Sequence, residues 1–277
     1  MSDNRTDFDV IIIGGGPSGA TAAHEIAIAG HRVLLLERAF RIKPCGGAIP
    51  PCLLGEFDIP RSLLKAEIQS ARMISPKEQK VDMPIDGTFV GMVDRDEFDP
   101  WLRQRAQHAG AELEIAAFKK LEYLDSNTIA VTYITKDADT ETKTATARCV
   151  LGADGARSRV AKQGIPKYAE IPWVLAYHEI VEAPETATGD YDPERCEVWY
   201  QGKLSPDFYA WVFPHGKSAS IGVGSAFKDF SAKDSVNELR AISGLDKART
   251  IRKEGAPIPM KPMKRWDDGK GILVSGD

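Results

Sequence analysis

The 277-residue chain has little cysteine and no long apolar run, and its net charge is only -4. Each shortage removes a class of protein. Its four cysteines, Cys45, Cys52, Cys149 and Cys196, are dispersed and form no CxxC pair. That spacing excludes a disulfide framework and gives no reason to expect a metal. Cys149 and Cys196 read as small apolar residues in strands. No stretch approaches the roughly 18 apolar residues of a membrane-crossing helix. The mild negative charge argues against a nucleic-acid surface. The opening MSDNRTDFD is neither a secretory signal nor an Arg-rich transit peptide, so cytoplasmic placement is expected. There is no internal repeat and no low-complexity tract.

What is present begins with FDVIIIGGGPSGATAAHEIAIAGHRVLLLER, which reads as a βαβ unit. Val10–Ile13 is a short apolar run of the kind found in buried parallel strands. A helix is expected from Pro17 to about Ala29, stopped by Gly30. Val33–Leu36 is the second strand. Between strand and helix lies Gly14-x-Gly16-x-x-Gly19, with Pro17 and Ser18 opening the helix. Gly14 permits a tight turn, Gly16 lets the backbone approach a pyrophosphate, and Gly19 lets the helix pack close to the sheet. The helix N-terminus supplies free N–H groups for phosphate. Glu37, followed by Arg38, stands 23 residues after Gly14, where a carboxylate can accept both hydroxyls of an adenosine ribose. A negative group there disfavours a 2′-phosphate, leaving FAD or NAD.

Farther along, Asp94–Gly110 reads as a helix, with Phe98, Trp101, Leu102 and Ala106 at helical spacing. Glu112–Glu122 and Thr128–Thr135 read as strands of a meander, and Lys136–Lys143 as a polar connection. Arg148–Ala153 is a buried strand leading into GADGARSRVA. From Trp173 the texture changes to alternating strands, LAYHEIVEA, RCEVWYQG, FYAWVFPHG and SASIGVGSAF, expected to form an antiparallel sheet in a second domain. Asp234–Leu245 is expected to be helical. Gly222 and Gly224 lack a third glycine and a following helix, so SIGVGSAF is a strand with two close-packing glycines rather than a second nucleotide site. Ile272–Val274 is a short strand delivering Gly276 and Asp277. With no closing helix after it, the chain is expected to be the front portion of a longer protein. The expected division is 1–170, 171–262 and 263–277, the last returning to the first domain.

The Asp-Gly motif, with Asp154 and Gly155, resembles the one that touches the FAD pyrophosphate region in group-A flavoprotein monooxygenases. Gly276-Asp277 resembles the start of that group's third motif, whose Asp holds the flavin ribityl chain, and Arg95 matches a position near the flavin. The resemblance implies FAD as cofactor. It also implies a mixed α/β fold: a Rossmann-like FAD-binding domain with an inserted meander, plus an antiparallel-sheet substrate domain. With no second Rossmann unit, NADPH would bind transiently as reductant.

KPCGGAIPP starts six residues after Glu37, in the loop expected to fold over the flavin ring. Gly46 and Gly47 would let the backbone come close, with Cys45 and Ala48 alongside. PCGG together with Tyr209-x-Trp211-x-Phe213-Pro214 is similar to the geranylgeranyl reductases, in which the aromatic motif is thought to line an isoprenoid cavity. CGGAIPPCLLGEFDIP and ARMISPKEQKVDM are similar to the (bacterio)chlorophyll-branch enzymes. Alternation places the rings of Tyr209, Trp211 and Phe213 on one face. The resemblance covers essentially the whole chain and implies NADPH-dependent reduction of the isolated double bonds of a geranylgeranyl group to phytyl. Cys45, Tyr209 and Trp211 are its candidate catalytic residues, with Tyr209, Cys45 or a water as proton donor. Tyr209, Trp211, Phe213 and Pro214 are its candidate substrate-binding residues. A pigment or isoprenoid substrate and peripheral contact with a photosynthetic membrane are further implications. Archaeal-type lipid or menaquinone as substrate, an aromatic hydroxylase or halogenase, and a non-catalytic flavin-binding protein remain alternatives.

Overall fold

The computed structural model describes residues 6–136 and 140–276. In chain order the elements are β1 (Phe8–Ile13), α1 (Pro17–Ile28), β2 (Val33–Glu37), β3 (Ala48–Ile49), α2 (Cys52–Glu56), β4 (Leu64–Ile68), β5 (Ser70–Ile74), β6 (Lys80–Pro84), β7 (Val90–Val93) and α3 (Arg95–His108). There follow β8 (Glu112–Tyr123), β9 (Ile129–Thr135), β10 (Thr142–Gly152), α4 (Arg159–Gly164), β11 (Trp173–Glu182), β12 (Arg195–Trp199), β13 (Ala210–His215), β14 (Ser218–Ser225), α5 (Ala232–Ile242), β15 (Thr250–Pro259) and β16 (Ile272–Val274). The chain divides into two compact units. One holds Met1–Ile42, Asp99–Pro172 and Lys261–Asp277; the other holds Lys43–Phe98 and Trp173–Met260.

In the first unit, β1 pairs in parallel with β2 on one side and β10 on the other; β8 extends the sheet beyond β2, and β16 extends it beyond β10. β9 runs antiparallel to both β8 and β10, which is the expected meander. Ile11–Ile13 of β1 and Val33–Leu36 of β2 are buried apolar runs, as central parallel strands are. Ile11, Ile13, Leu34, Leu36, Val150, Val160 and Ile272 meet in one core cluster. α1 packs through its small residues, with Gly19, Ala20 and Ala23 buried.

In the second unit the large sheet has the order β15-β11-β14-β13-β12-β5-β6, antiparallel except for the β12–β5 pair. A small sheet, β3-β7-β4, is also antiparallel. The expected 1–170 domain is divided differently here. Lys43–Phe98 groups with Trp173–Met260 because β5 pairs with β12 over Arg195↔Ser70 to Trp199↔Ile74. Residues in register share a face. Ala210, Val212, Ile221 and Val223 lie on the face that Val236 and Leu239 of α5 cover. Trp211, Phe213, Ser220, Gly222 and His178 lie on the opposite face.

Helix and strand limits otherwise differ from expectation by a few residues, as frayed ends do. The segment between the CGG loop and Val93, featureless in the sequence, holds short strands that extend the large sheet beyond β12 and complete the small one. Residues 137–139 of the polar connection and Asp277 lie outside the described residues. No helix is long and apolar enough to cross a membrane, and no group of His, Cys, Asp and Glu could hold a metal, both among the described residues.

Candidate functional site

In the first unit three distant loop segments converge on the N-terminus of α1. Gly14 sits at φ +109°, and a Cβ there would lie 2.2 Å from the Ala153 carbonyl oxygen and 3.0 Å from the Asp154 nitrogen. The GADG strand end therefore presses directly against the Gly14 turn. A Cβ on Gly19 would fall 1.9 Å from the Gly14 carbonyl oxygen. The third segment closes from the other side. Ser275 N–H donates to the Gly152 carbonyl at 2.9 Å, Ser275 Oγ is 2.6 Å from Ser18 Oγ, and Gly276 takes φ +81° beside Ser18.

Together they form a glycine-walled turn at the start of α1. α1 begins at Gly16 and Pro17 with no side chain capping its first turn and no acidic residue there. A helix start without such a cap can offer N–H groups to an anion.

Glu37 is buried, and its carboxylate turns toward the glycine turn. It accepts from Gly15 N–H at 2.8 Å and from Ala39 N–H at 3.2 Å. It thus fixes the turn as well as standing where the ribose is expected. Arg103, absent from the sequence reading, donates from Nη1 to the Gly15 carbonyl at 2.9 Å and lies over the Phe40 ring at 4.9 Å. Its signal was weak, since a charged residue on an amphipathic helix reads as solvated. Asp154 takes a local role. Its carboxylate accepts from Arg159 N–H at 2.6 Å and Val160 N–H at 3.2 Å, at the start of α4, so the Ala153–Asp154 backbone is what faces Gly14. Arg38 is exposed beside Glu37.

In the second unit the CGG loop and the aromatic motif meet. Tyr209 immediately precedes β13, and its ring centroid is 5.9 Å from that of Trp211, which is 6.2 Å from that of Phe213. Phe208 stacks on Tyr209 at 4.1 Å. The ladder ends against the loop, where a Cβ on Gly46 would lie 3.1 Å from the Phe213 ring. Gly47 is buried at φ +77°, and a Cβ there would lie 2.4 Å from the Val93 carbonyl oxygen and 2.5 Å from His215 Cε1. Val93 N–H donates to the Gly47 carbonyl at 2.9 Å, and Gly47 N–H to Cys45 Sγ at 3.4 Å. Cys45 and Ala48 are exposed, and Pro214 is buried on β13. Arg95 opens α3 directly after Asp94. Gly222 and Gly224 make room for the Trp211 and Phe208 rings, at 2.2 and 2.5 Å from their would-be Cβ atoms.

Two histidines went unread. His178 Nδ1 is 2.8 Å from Ser220 Oγ, which also accepts Trp211 Nε1–H at 3.1 Å, and His178 Nε2 is 3.0 Å from Glu254. His215 Nε2 is 3.0 Å from the Gly46 carbonyl and Nδ1 is 2.9 Å from Asp94 Oδ1. Both histidine–carboxylate contacts are close but lie off the hydrogen-bond line. Burial pushes Asp94 and Glu254 up, but their histidine partners outweigh it and hold both below the usual carboxylate range. Burial, with Tyr200 adding, raises Tyr209, so its hydroxyl keeps its proton at neutral pH. Cys149 and Cys196 are half-buried; burial raises both thiols, and Glu197 helps push Cys196 up to about 12.

Residues 7–44 and 60–172 match the family model described as FAD binding domain. The chain is 55% identical over 270 residues to the geranylgeranyl diphosphate reductase of Rhodobacter capsulatus, covering 98% of this chain and 68% of that protein. It is 36% identical to the chloroplastic geranylgeranyl diphosphate reductase of Oryza sativa, covering 96% of this chain and 59% of that one. A geranylgeranyl bacteriochlorophyll reductase-like protein of Thermoplasma acidophilum shares the fold, with a TM-score of 0.81 at 23% identity over 96% of this chain and 70% of that one. The chain belongs to the geranylgeranyl diphosphate reductase family of FAD-binding proteins.

Proposed function

We propose that the protein reduces the isolated carbon–carbon double bonds of a geranylgeranyl group, free as the diphosphate or attached to a (bacterio)chlorophyll, with NADPH as electron donor. Bound FAD would supply the hydride. The observation that carries this reading is the ladder of rings ending on Gly46: an apolar face suited to a polyene terminates at the loop assigned to the cofactor. Gly14, Gly16, Pro17, Ser18, Gly19, the Asp154–Gly155 backbone and Gly276 would hold the dinucleotide, with Glu37 on the ribose. An unpolarised alkene offers no carbonyl to activate. The chain's contribution is therefore placement, exclusion of water and stabilisation of developing positive charge. Tyr209, Trp211 and Phe213 suit all three, since ring faces attract cations. Tyr209, protonated at neutral pH, and Cys45, at the head of the loop, are the candidate proton donors.

The test is anaerobic turnover with FAD and NADPH on geranylgeranylated bacteriochlorophyll and geranylgeranyl diphosphate in parallel, followed by product mass. Because the chain spans 68% of the R. capsulatus relative, it is assayed beside that full-length relative. Stepwise gain of two hydrogens per bond supports the reading, and the faster substrate identifies the branch. A reducible flavin with no gain on either substrate refutes it. Cys45→Ala is expected to keep the flavin and lose turnover; full turnover would remove Cys45 from the chemistry.

A further inference from the structure

We propose that Asp94 and His215 form a charged clasp, with His215 an imidazolium, that fixes the position of the Cys45–Gly47 loop. The argument is a proton count. His215 Nε2 faces the Gly46 carbonyl at 3.0 Å, and a carbonyl only accepts, so Nε2 carries a proton. Nδ1 lies 2.9 Å from Asp94 Oδ1, and an aspartate is ordinarily ionised at neutral pH. Without a proton on Nδ1, a buried ring nitrogen would stand 2.9 Å from a negative oxygen with nothing to offset the repulsion. Both ring nitrogens therefore carry protons. His178 provides the contrast within the same unit. It also faces a carboxylate, but its other nitrogen meets Ser220 Oγ, a hydroxyl able to donate. A neutral ring satisfies His178, and none satisfies His215.

The clasp acts where the loop has little else to hold it. The glycines of the loop offer no side chains; Gly47 is fixed by Val93 and by the fit of His215 Cε1 into the space a Cβ would fill. Phe213 and His215 leave the same face of β13 and both reach the loop, so the last ring of the ladder and the hold on the Gly46 carbonyl are set by one strand end. His215 is thus a positioning residue. The charged groups bearing on the pair are Asp94 itself, Lys65 of β4, which is paired with Glu97 of α3, and Arg252 of β15; Cys45 heads the loop. The consequence for the flavin rests on the reading of Cys45–Ala48 as flavin-facing. The clasp does not, and its test uses no cofactor.

The test reads the ring and the loop separately. Nitrogen-correlated NMR of the chain is expected to show both His215 ring nitrogens protonated at neutral pH. Hydrogen-exchange protection over 45–49 and at Val93 is expected to fall at alkaline pH, where a histidine ring carries a single proton. His215→Ala is expected to lose about tenfold or more of that protection at every pH, the worth of a hydrogen bond to a charged group. His215→Gln places an amide donor near Nε2 and is expected to restore protection and remove its pH dependence. Asp94→Asn is expected to leave His215 with one proton. A neutral His215 in the unaltered chain overturns the proposal. So does a folded His215→Ala with unchanged loop protection. Should His215→Ala fail to fold, a His215→Gln chain that keeps the wild-type pH dependence overturns it equally.

Discussion

At the scale of single residues, the glycines at the start of α1 are set by what surrounds them. A Cβ on Gly19 would meet the Gly14 carbonyl at 1.9 Å, and that obstacle is backbone, which cannot swing aside as a side chain would. Gly19→Ala is therefore expected to cost roughly 3 kcal/mol in urea unfolding and to cut the flavin retained through gel filtration. Glycine function was legible in the sequence because the motif is local: strand, turn and helix follow within a few residues. Arg103, Asp94 and His215 were not. Each acts through a partner remote in the chain, Arg103 on Gly15 and His215 on both Asp94 and Gly46. Single-sequence reading sees only a charged helix residue and the ordinary end of a strand.

At the scale of elements, a buried ion pair ties α5 to β11 and β15. Arg240 Nη1 reaches Glu179 at 2.7 Å and Thr250 at 2.8 Å, and Glu179, 1% exposed, also accepts from Tyr177 and contacts Lys253 at 3.2 Å. Removing one member leaves the other buried. Arg240→Met is expected to destabilise by about 3–5 kcal/mol. The double variant Arg240→Met, Glu179→Met should recover most of that loss, since a buried pair and apolar groups of similar volume are often close in energy. Chemical denaturation of both variants checks the pair in one cycle. Strand alternation foretold that β13 would carry its rings on one face, but β5 and β6 escaped notice. Their place is fixed by the parallel β5–β12 pairing, a contact between remote segments that no local pattern encodes.

For the whole molecule, stability should have an acid and an alkaline edge. Burial raises Asp94, Glu179 and Glu254, yet their partners leave all three lowered. Groups with lowered folded values contribute stability above their unfolded value, about 4, and lose it as pH falls below that. The opposite edge comes from groups that are raised. Burial and Glu179 push Tyr177 up to about 12, and burial raises Tyr191 and Cys196. Their contribution is complete below their unfolded values, about 8.5 for the thiol and about 10 for the phenols, and is lost as pH rises past them. Melting temperature against pH should therefore pass through a maximum between about 5 and 8 and fall on both sides. A curve still rising below pH 4 would contradict the assignment.

The third wall of the turn at the start of α1 is β16, three residues long, and it places Ser275 against Ser18 across 257 residues of sequence. During synthesis the glycine turn leaves the ribosome long before the strand that encloses it. A nascent chain would hold β1, α1 and β10 in register while that turn still stood open on one side. With the cofactor held as proposed, its site is completed only when the segment around Ile272–Gly276 emerges and pairs beside β10. Such a long closure is slow to form and easily outrun by aggregation. Supply of flavin during translation, rather than afterwards, would then decide how much of the chain reaches its finished form.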